Sequence, residues 1–298
     1  MKKVVVMAAL VGIFRFGGHA QISKEIAGFH NPESVIGYKD HLFVSNMGDK
    51  LDPTAKDGDG YISMIYRTDG KMVQEKFIEG LNSPKGLFVC HGYLHVVDVD
   101  RIIAYKIKTK EKVWEADLSK QGITYANDVV PFCGGLLVSA TDKNAIYKVK
   151  RSGKVKQWVV KGELPGANGL LRKCGKLYVA NYGRGNEPDG SVVKIGCNHK
   201  VKTLPYPKGY YDGIAKICGI LLVADWVNPA DNSGKIMAYD CHKKAIATLP
   251  VNRTIDGPAD IYADCKTKTL WIPAMREGKI LAIPFAAVKA WKKQMMKK

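Results

Sequence analysis

The 298-residue chain has no Gly-x-Ser-x-Gly phrase, no Gly-x-x-x-x-Gly-Lys loop and no Cys-x-x-Cys pair. The first absence removes support for a serine hydrolase built on a nucleophile elbow, the second for a nucleotide enzyme with a phosphate-cradling loop. The third disfavours a structural zinc site. Acidic residues are scarce: 28 Asp and Glu stand against 46 Lys and Arg, a formal net charge of +18. Such an excess can draw anionic partners. Here the lysines (Lys143, Lys148, Lys150, Lys154, Lys156 and Lys161 among them) are scattered over turns and outer strands, and no nucleic-acid motif accompanies them. The reading is a solvated basic surface and no nucleic-acid partner. Long apolar runs are missing too. The stretch Val4–Phe14 has 11 residues, short of the ~20 that span a bilayer, so no transmembrane segment is expected.

That short stretch has another use. Lys2 and Lys3 precede it, and Gly18-His19-Ala20 places small residues ahead of Gln21, which is the layout of a cleaved secretory signal. Residues 1–20 are therefore read as a signal peptide and the mature chain as periplasmic or secreted. The seven cysteines are an odd number. Cys90, Cys133, Cys174, Cys218 and Cys265 recur at the turn after the first strand of successive repeats. Cys197 and Cys241 share a second equivalent place. Equivalent positions in neighbouring units lie beyond the ~7 Å between Cα atoms that a disulfide tolerates. Free, buried thiols packing the hub are expected in place of a disulfide framework.

The chain is organised by a repeat. Gly166-Ala167-Asn168-Gly169-Leu170 followed by Lys176–Tyr182 has counterparts starting at Pro32, Pro84, Ala126, Tyr211 and Pro258. Each copy is a small or turn residue, a key residue, a short apolar strand, a turn and a second apolar strand. The key residues are Glu33, Lys85, Asn127, Asn168, Asp212 and Ala259, separated by 41–52 residues. That period, with several strands per unit, is the signature of a β-propeller. Six units predict an all-β fold of six blades with four antiparallel strands each. Apolar residues at i and i+2, as at Leu177 and Val179 or Leu221 and Val223, suit half-buried sheets. The last unit supplies only three strands, and residues 22–29 resemble the fourth strand of the others. The N-terminal strand is therefore expected to join the last blade and close the ring. The propeller spans residues 21–285, and residues 286–298 read as a basic, solvated C-terminal tail. Asp57-Gly58-Asp59-Gly60 lacks the further ligands of a calcium loop and reads as a hairpin turn.

Innermost strands of a propeller all start at one end of the channel, so residues at one repeat position form a ring. Here the ring brings two carboxylates and two carboxamides together, a ligand set suited to a hard divalent cation. Without a cation, Glu33 and Asp212 face each other poorly solvated.

The four phrases Pro-Glu-Ser at Glu33, Ala-Asn-Asp at Asn127, Ala-Asn-Gly-Leu at Asn168 and Tyr-Asp-Gly at Asp212 carry a resemblance. In order and blade spacing the chain resembles the senescence marker protein, gluconolactonase and luciferin-regenerating enzyme family of six-bladed lactonases. The resemblance implies a divalent metal ion, calcium first with zinc or manganese as alternatives. Its direct ligands would be Glu33, Asn168 and Asp212, with Asn127 reaching the metal through water or binding substrate. The metal would polarise a lactone carbonyl and hold the developing oxyanion, and Asp212 would be the catalytic base for the attacking water. The family's sugar lactonases carry an Arg where this chain has Tyr125, and Lys85 adds a cation to the ring. Tyr125, Lys85, Asn127 and Tyr211 are thus the candidate substrate contacts, with Tyr210 and Trp226 as further aromatic surface at the mouth. The implied substrate is a small molecule other than the usual sugar lactone. His30, just before Glu33, is a candidate proton-transfer group or a bystander. The function expected is an exported metal-dependent hydrolase of lactones or related esters. The alternative is a non-catalytic ligand- or protein-binding propeller with a structural calcium.

Overall fold

The computed structural model describes residues 22–242 and 244–295; residues 1–20, read from the sequence as a signal peptide, lie outside them. The chain forms six four-stranded antiparallel sheets arranged as the blades of a propeller. The first strand met, β1 (Lys24–Ala27), belongs to the last blade. Blade one is β2 (Pro32–Tyr38), β3 (His41–Asn46), β4 (Gly60–Tyr66) and β5 (Met72–Leu81). Blade two is β6 (Pro84–Cys90), β7 (Tyr93–Asp98), β8 (Arg101–Lys106) and β9 (Lys112–Asp117). Blade three is β10 (Ala126–Phe132), β11 (Gly135–Ala140), β12 (Ala145–Lys150) and β13 (Val155–Gln157). Blade four is β14 (Ala167–Lys173), β15 (Lys176–Asn181), β16 (Val192–Ile195) and β17 (Val201–Thr203). Blade five is β18 (Tyr211–Ile217), β19 (Ile220–Asp225), β20 (Lys235–Asp240) and β21 (Ala245–Thr248). Blade six has β22 (Tyr262–Asp264), β23 (Thr269–Ala274) and β24 (Lys279–Pro284). Its fourth strand is β1, which pairs antiparallel with β24 from Lys24 opposite Ala282 to Ala27 opposite Lys279. The ring closes as the sequence predicts, and β24 is left with no open edge.

Burial departs from simple alternation. In the second strand of each blade nearly every residue is buried, as in β19, where all six of Ile220–Asp225 are. Each sheet has a neighbour on both faces, so these strands have no solvent side and read as continuous apolar runs. The core is accordingly split among the six clefts between blades. Phe43, Ile62, Leu87 and Ile103 fill the cleft between blades one and two. Ile220, Leu222, Leu270 and Ile283 fill that between five and six. Blades six and one are also clamped by Arg67, whose Nε donates to Asp264 Oδ2 at 2.6 Å and whose Nη2 donates to Oδ1.

Two expectations are corrected. The cysteines are free, but they do not pack the hub: Cys133, Cys174, Cys197, Cys218 and Cys265 are exposed, and Cys90 and Cys241 half-buried. The turns that carry them lie at the far end of the first and third strands, away from the ring of key residues, where solvent reaches them. The tail is not a solvated end. Residues Phe285–Met295 form helix α1, whose Phe285, Val288 and Trp291 are buried against blades five and six. Lys292 pins it by donating to the Cys218 carbonyl at 3.1 Å and pairing with Asp240 at 3.4 Å. Among the described residues, no helix is long and apolar enough to cross a membrane.

Candidate functional site

The innermost strands of blades one to five share a defect. In each, the pairing register shifts across the key residue and the one after it, between Pro32 and Val35, Pro84 and Leu87, Ala126 and Val129, Ala167 and Leu170, and Tyr211 and Ile214. A bulge of this kind frees two consecutive side chains from the alternation of the strand. The residue after the key is Gly86, Gly169 or Gly213 in three blades. A Cβ on Gly169 would sit 2.3 Å from the Asp212 carbonyl oxygen, and one on Gly213 2.3 Å from the Ile261 nitrogen. The small residue in Asn-Gly and Asp-Gly therefore lets the next blade's inner strand approach the axis. Ser34, Asp128 and Asp260 occupy the same place in the other blades and bridge to neighbours. Ser34 Oγ donates to Asp260 Oδ2 at 2.7 Å, and Asp128 Oδ2 accepts from the Leu170 amide at 2.6 Å.

All six key residues are buried, none more than 4% exposed. Their polar atoms are poorly served. Glu33 Oε2, Asn127 Oδ1, Asn168 Oδ1 and Nδ2, and Asp212 Oδ1 have no hydrogen-bond partner, although buried polar atoms are normally paired. Asp212 Oδ2 accepts from Trp226 Nε1 at 3.1 Å. Lys85 Nζ donates to the Ser83 carbonyl at 2.7 Å and lies 5.4 Å from the Tyr125 ring centre. Tyr125 also reaches the Asn127 side chain with its hydroxyl.

The electrostatics follow from four carboxyl groups and one amine in a buried hub. Burial, then Asp212 and Asp260, push Glu33 well above the usual carboxylate range, and Lys85 opposes this. Burial and Asp260 raise Asp212 to about 8. Burial raises Asp260 to about 7 and, with Asp260 adding to it, also lifts Asp128. Burial lowers Lys85 to about 8 against the pull of Glu33. The hub carries more potential negative charge than its single amine can balance.

Above the ring opens a cavity of about 660 Å³, lined by Glu33, Lys85, Tyr125 and Asp212 at its base. Its walls are Tyr182, Tyr210, Trp226, Met47 and Met275, with Arg276 lying 5.2 Å over the Trp226 ring. Asn127 and Asn168 sit in the ring but not in the lining of this cavity. Tyr211 is corrected as a substrate contact. It is fully buried in the cleft between blades four and five, and its hydroxyl donates to the Pro207 carbonyl at 2.8 Å. His30 lies outside the cavity, paired with Asp49 on the surface at 2.6 Å.

Two sets of residues were missed. Asp128 and Asp260 occupy the position after the key residue, where strict alternation would turn a side chain away from the channel. Met47, Thr141, Tyr182 and Met275 line the mouth beside Trp226, which the sequence reading places there, and each of the five is the first residue after the second strand of its blade. That is a repeat position, so the repeat that exposed the first ring held the signal for this one too. Among the described residues, no three His, Cys, Asp or Glu side chains are placed to hold a metal ion. The ring offers two carboxylates completed by carboxamides.

No family model and no curated protein matches this chain. Solved structures share its fold. Virginiamycin B lyase from Staphylococcus aureus is 15% identical with a TM-score of 0.60 over 87% of this chain and 98% of its own. A catalytically inactive histidine-to-alanine variant of that enzyme has been solved with quinupristin. A protein of unknown function from Bacteroides thetaiotaomicron is 13% identical with a TM-score of 0.64 over 86% of this chain and 70% of its own. A chain of a nidogen/laminin complex is 11% identical with a TM-score of 0.58 over 86% and 90%. Identities this low establish the propeller and no activity.

Proposed function

We propose that this propeller is a metal-dependent hydrolase of lactones or related esters, working at the ring end of its channel. The observation that carries the reading is the set of unpartnered buried oxygens on Glu33, Asn127, Asn168 and Asp212. Each such atom costs ~1–3 kcal/mol when left unpaired, and a divalent cation satisfies all four residues at once. Glu33, Asn168 and Asp212 would hold it directly and Asn127 through water. When bound, it would supply Lewis-acid polarisation of the ester carbonyl.

The chain's own residues do the rest. Asp212 Oδ2 accepts from the Trp226 indole N–H, which fixes the carboxyl at the base of the cavity; it takes a proton from water there only when ionised, the form a bound cation would favour. Lys85, at the same base, offers an ammonium to a carboxylate or oxyanion on the substrate. The aromatic and thioether walls of Tyr182, Tyr210, Trp226 and Met275 offer an apolar acyl or aryl body a surface to pack on. The lyase with the same fold is inactive when a histidine is replaced by alanine. Among the described residues no histidine lines the upper cavity here; of the titratable groups that do, this reading gives the proton to the Asp212 carboxylate.

Hydrolysis of a panel of lactones and aryl esters, with calcium, manganese or zinc and after chelation, tests this. Metal-dependent turnover that is lost in Asp212→Asn with the fold intact is the expected result. Turnover undiminished in that variant would refute it. A second reading has its own observation: Lys85 is 1% exposed on the ring and electrostatically coupled to Glu33, a protein-borne counter-ion. On that reading the propeller binds an anionic ligand without turnover, and chelation changes neither stability nor binding.

A further inference from the structure

The opposite end of the molecule carries a cavity of about 740 Å³ in the cleft between blades two and three. Its floor is one cross-strand row of blade two. Phe88 stands opposite His95, His95 opposite Ala104, and Ala104 opposite Trp114. The row is a run of flat rings, with centres 5.6 Å apart for Phe88 and His95 and 6.3 Å apart for His95 and Trp114. Ala104 beneath them adds no bulk. In the other blades the second member of this row is Phe43, Leu137, Tyr178, Leu222 or Trp271. Only blade two puts an imidazole there. Burial holds it below its ordinary pKa against a hydrogen bond with the Phe88 backbone, so a neutral ring lines the cleft at pH 7.

The facing wall, on blade three, is the apolar row Pro131, Leu136 and Val149. Phe132 lies at the edge of the cavity on the other face of that blade, packed against Trp158, with the Arg172 guanidinium 5.1 Å from its ring centre. Lys150, Arg151 and Arg172 stand at the rim, and among the described residues no Asp or Glu lines the cavity. Rings on one side, an apolar wall on the other and cations at one edge select for shape and charge together.

We propose that this cleft is a second binding site, for a planar aromatic anion of one or two fused rings. The ring system stacks along Phe88, His95 and Trp114 opposite Pro131, Leu136 and Val149, and its carboxylate meets Arg151 and Arg172. The site lies at the far end of the inner strands from Glu33 and Asp212, so its occupancy is independent of any cation in the ring.

Calorimetric titration of the full chain with indole-3-carboxylate and with neutral indole-3-carboxamide tests the assignment. Saturable one-to-one binding of the carboxylate is expected, at least about tenfold weaker for the carboxamide. The surface variant Arg151→Glu/Arg172→Glu should weaken carboxylate binding by a similar factor with an unchanged melting curve. Ala104→Leu, which fills the floor, should abolish binding. If that variant misfolds, the charge-reversal pair decides alone. Asp212→Asn should bind as the wild type does. Absence of saturable binding, binding indifferent to the charge reversal, or loss in Asp212→Asn would each overturn the proposal.

Discussion

Replacing Asp212 by Asn should stabilise the protein in chelator and destabilise it in a binding cation. In the unfolded chain Asp212 ionises near the ordinary 3.8, and in the folded chain burial and Asp260 raise it to about 8. Folding at pH 7 must therefore protonate the group. That costs about 1.4 kcal/mol for each pH unit above the unfolded value, or ~4 kcal/mol. Glu33 and Asp260 share the crowding, so part of the penalty stays with them, and ~2–4 kcal/mol is the working range for the variant. Asn is neutral, and its oxygen can still accept from Trp226. The sign runs with a raised pKa. The penalty is absent below pH 3.8, grows as pH rises toward 8 and is constant beyond, so the gain at pH 7 should vanish near about pH 3.5. In a domain of this size ~2–4 °C accompanies each kcal/mol, so a rise in Tm of roughly 5–15 °C is expected with chelator at pH 7. With cation at about 1,000 times its Kd the wild type gains ~4.1 kcal/mol, the variant loses a charged ligand, and the order reverses. Thermal melts of both proteins at two pH values, with chelator and with calcium, are the assay. A variant less stable than wild type in chelator at pH 7 would mean that Lys85 already neutralises the ring. The cation argument would then fail.

Gly169→Ala forces a Cβ to within 2.3 Å of the Asp212 carbonyl oxygen. It should cost ~1–3 kcal/mol by urea melt and impair any ring-dependent activity; a neutral effect would show that the inner strands yield easily. Arg67→Met leaves the fully buried Asp264 without its ion-pair partner and should cost ~3–5 kcal/mol at pH 7. Hydrogen bonds from Arg67 and Thr267 hold Asp264 at about 2 against burial, below its unfolded value of 3.8. The pair's contribution is therefore full above about pH 4 and fades as pH falls toward 2. Parallel melts that keep a constant gap between wild type and variant across that window would contradict the assignment. Deleting residues 22–27 removes β1 from β24 and should lower Tm and promote self-association through the bared edge, read by light scattering; an unchanged monomer would show that β1 is dispensable. Thiol titration of the chain spanning residues 22–298, unfolded under non-reducing conditions, should count seven free cysteines. A lower count in a homogeneous sample would show pairing that the structure does not.

The key residues were legible because each sits at one place in a repeated phrase, and a ring needs nothing more than equal strand starts. Tyr125, two residues before Asn127 and read as a substrate contact, lies at the base of the cavity. Tyr210 holds the same place before Asp212. Tyr211 failed because it is one residue before the key, a place filled by Pro32, Pro84, Ala126, Ala167 and Pro258 elsewhere. Those small or apolar residues mark a core position, and the aromatic ring of Tyr211 obeys it. The cysteines were misplaced for a related reason. Their recurrence marked an equivalent position correctly, but the turn after an innermost strand lies at the end of the channel, in solvent.

Period, strand count and the completion of blade six by residues 22–29 follow from the one-dimensional pattern, because hydrophobic runs and turn residues are local signals that each blade repeats. So does the ring of Glu33, Lys85, Asn127, Asn168, Asp212 and Ala259. The directions of side chains at the bulges were settled only by packing. Asp128 and Asp260 join the hub because neighbouring inner strands crowd together where Gly86, Gly169 and Gly213 permit it. The perturbed ionisation of the hub depends in turn on through-space neighbours from five blades. Such distances between residues far apart in the chain are set by how sheets stack about the axis, and no local pattern encodes them.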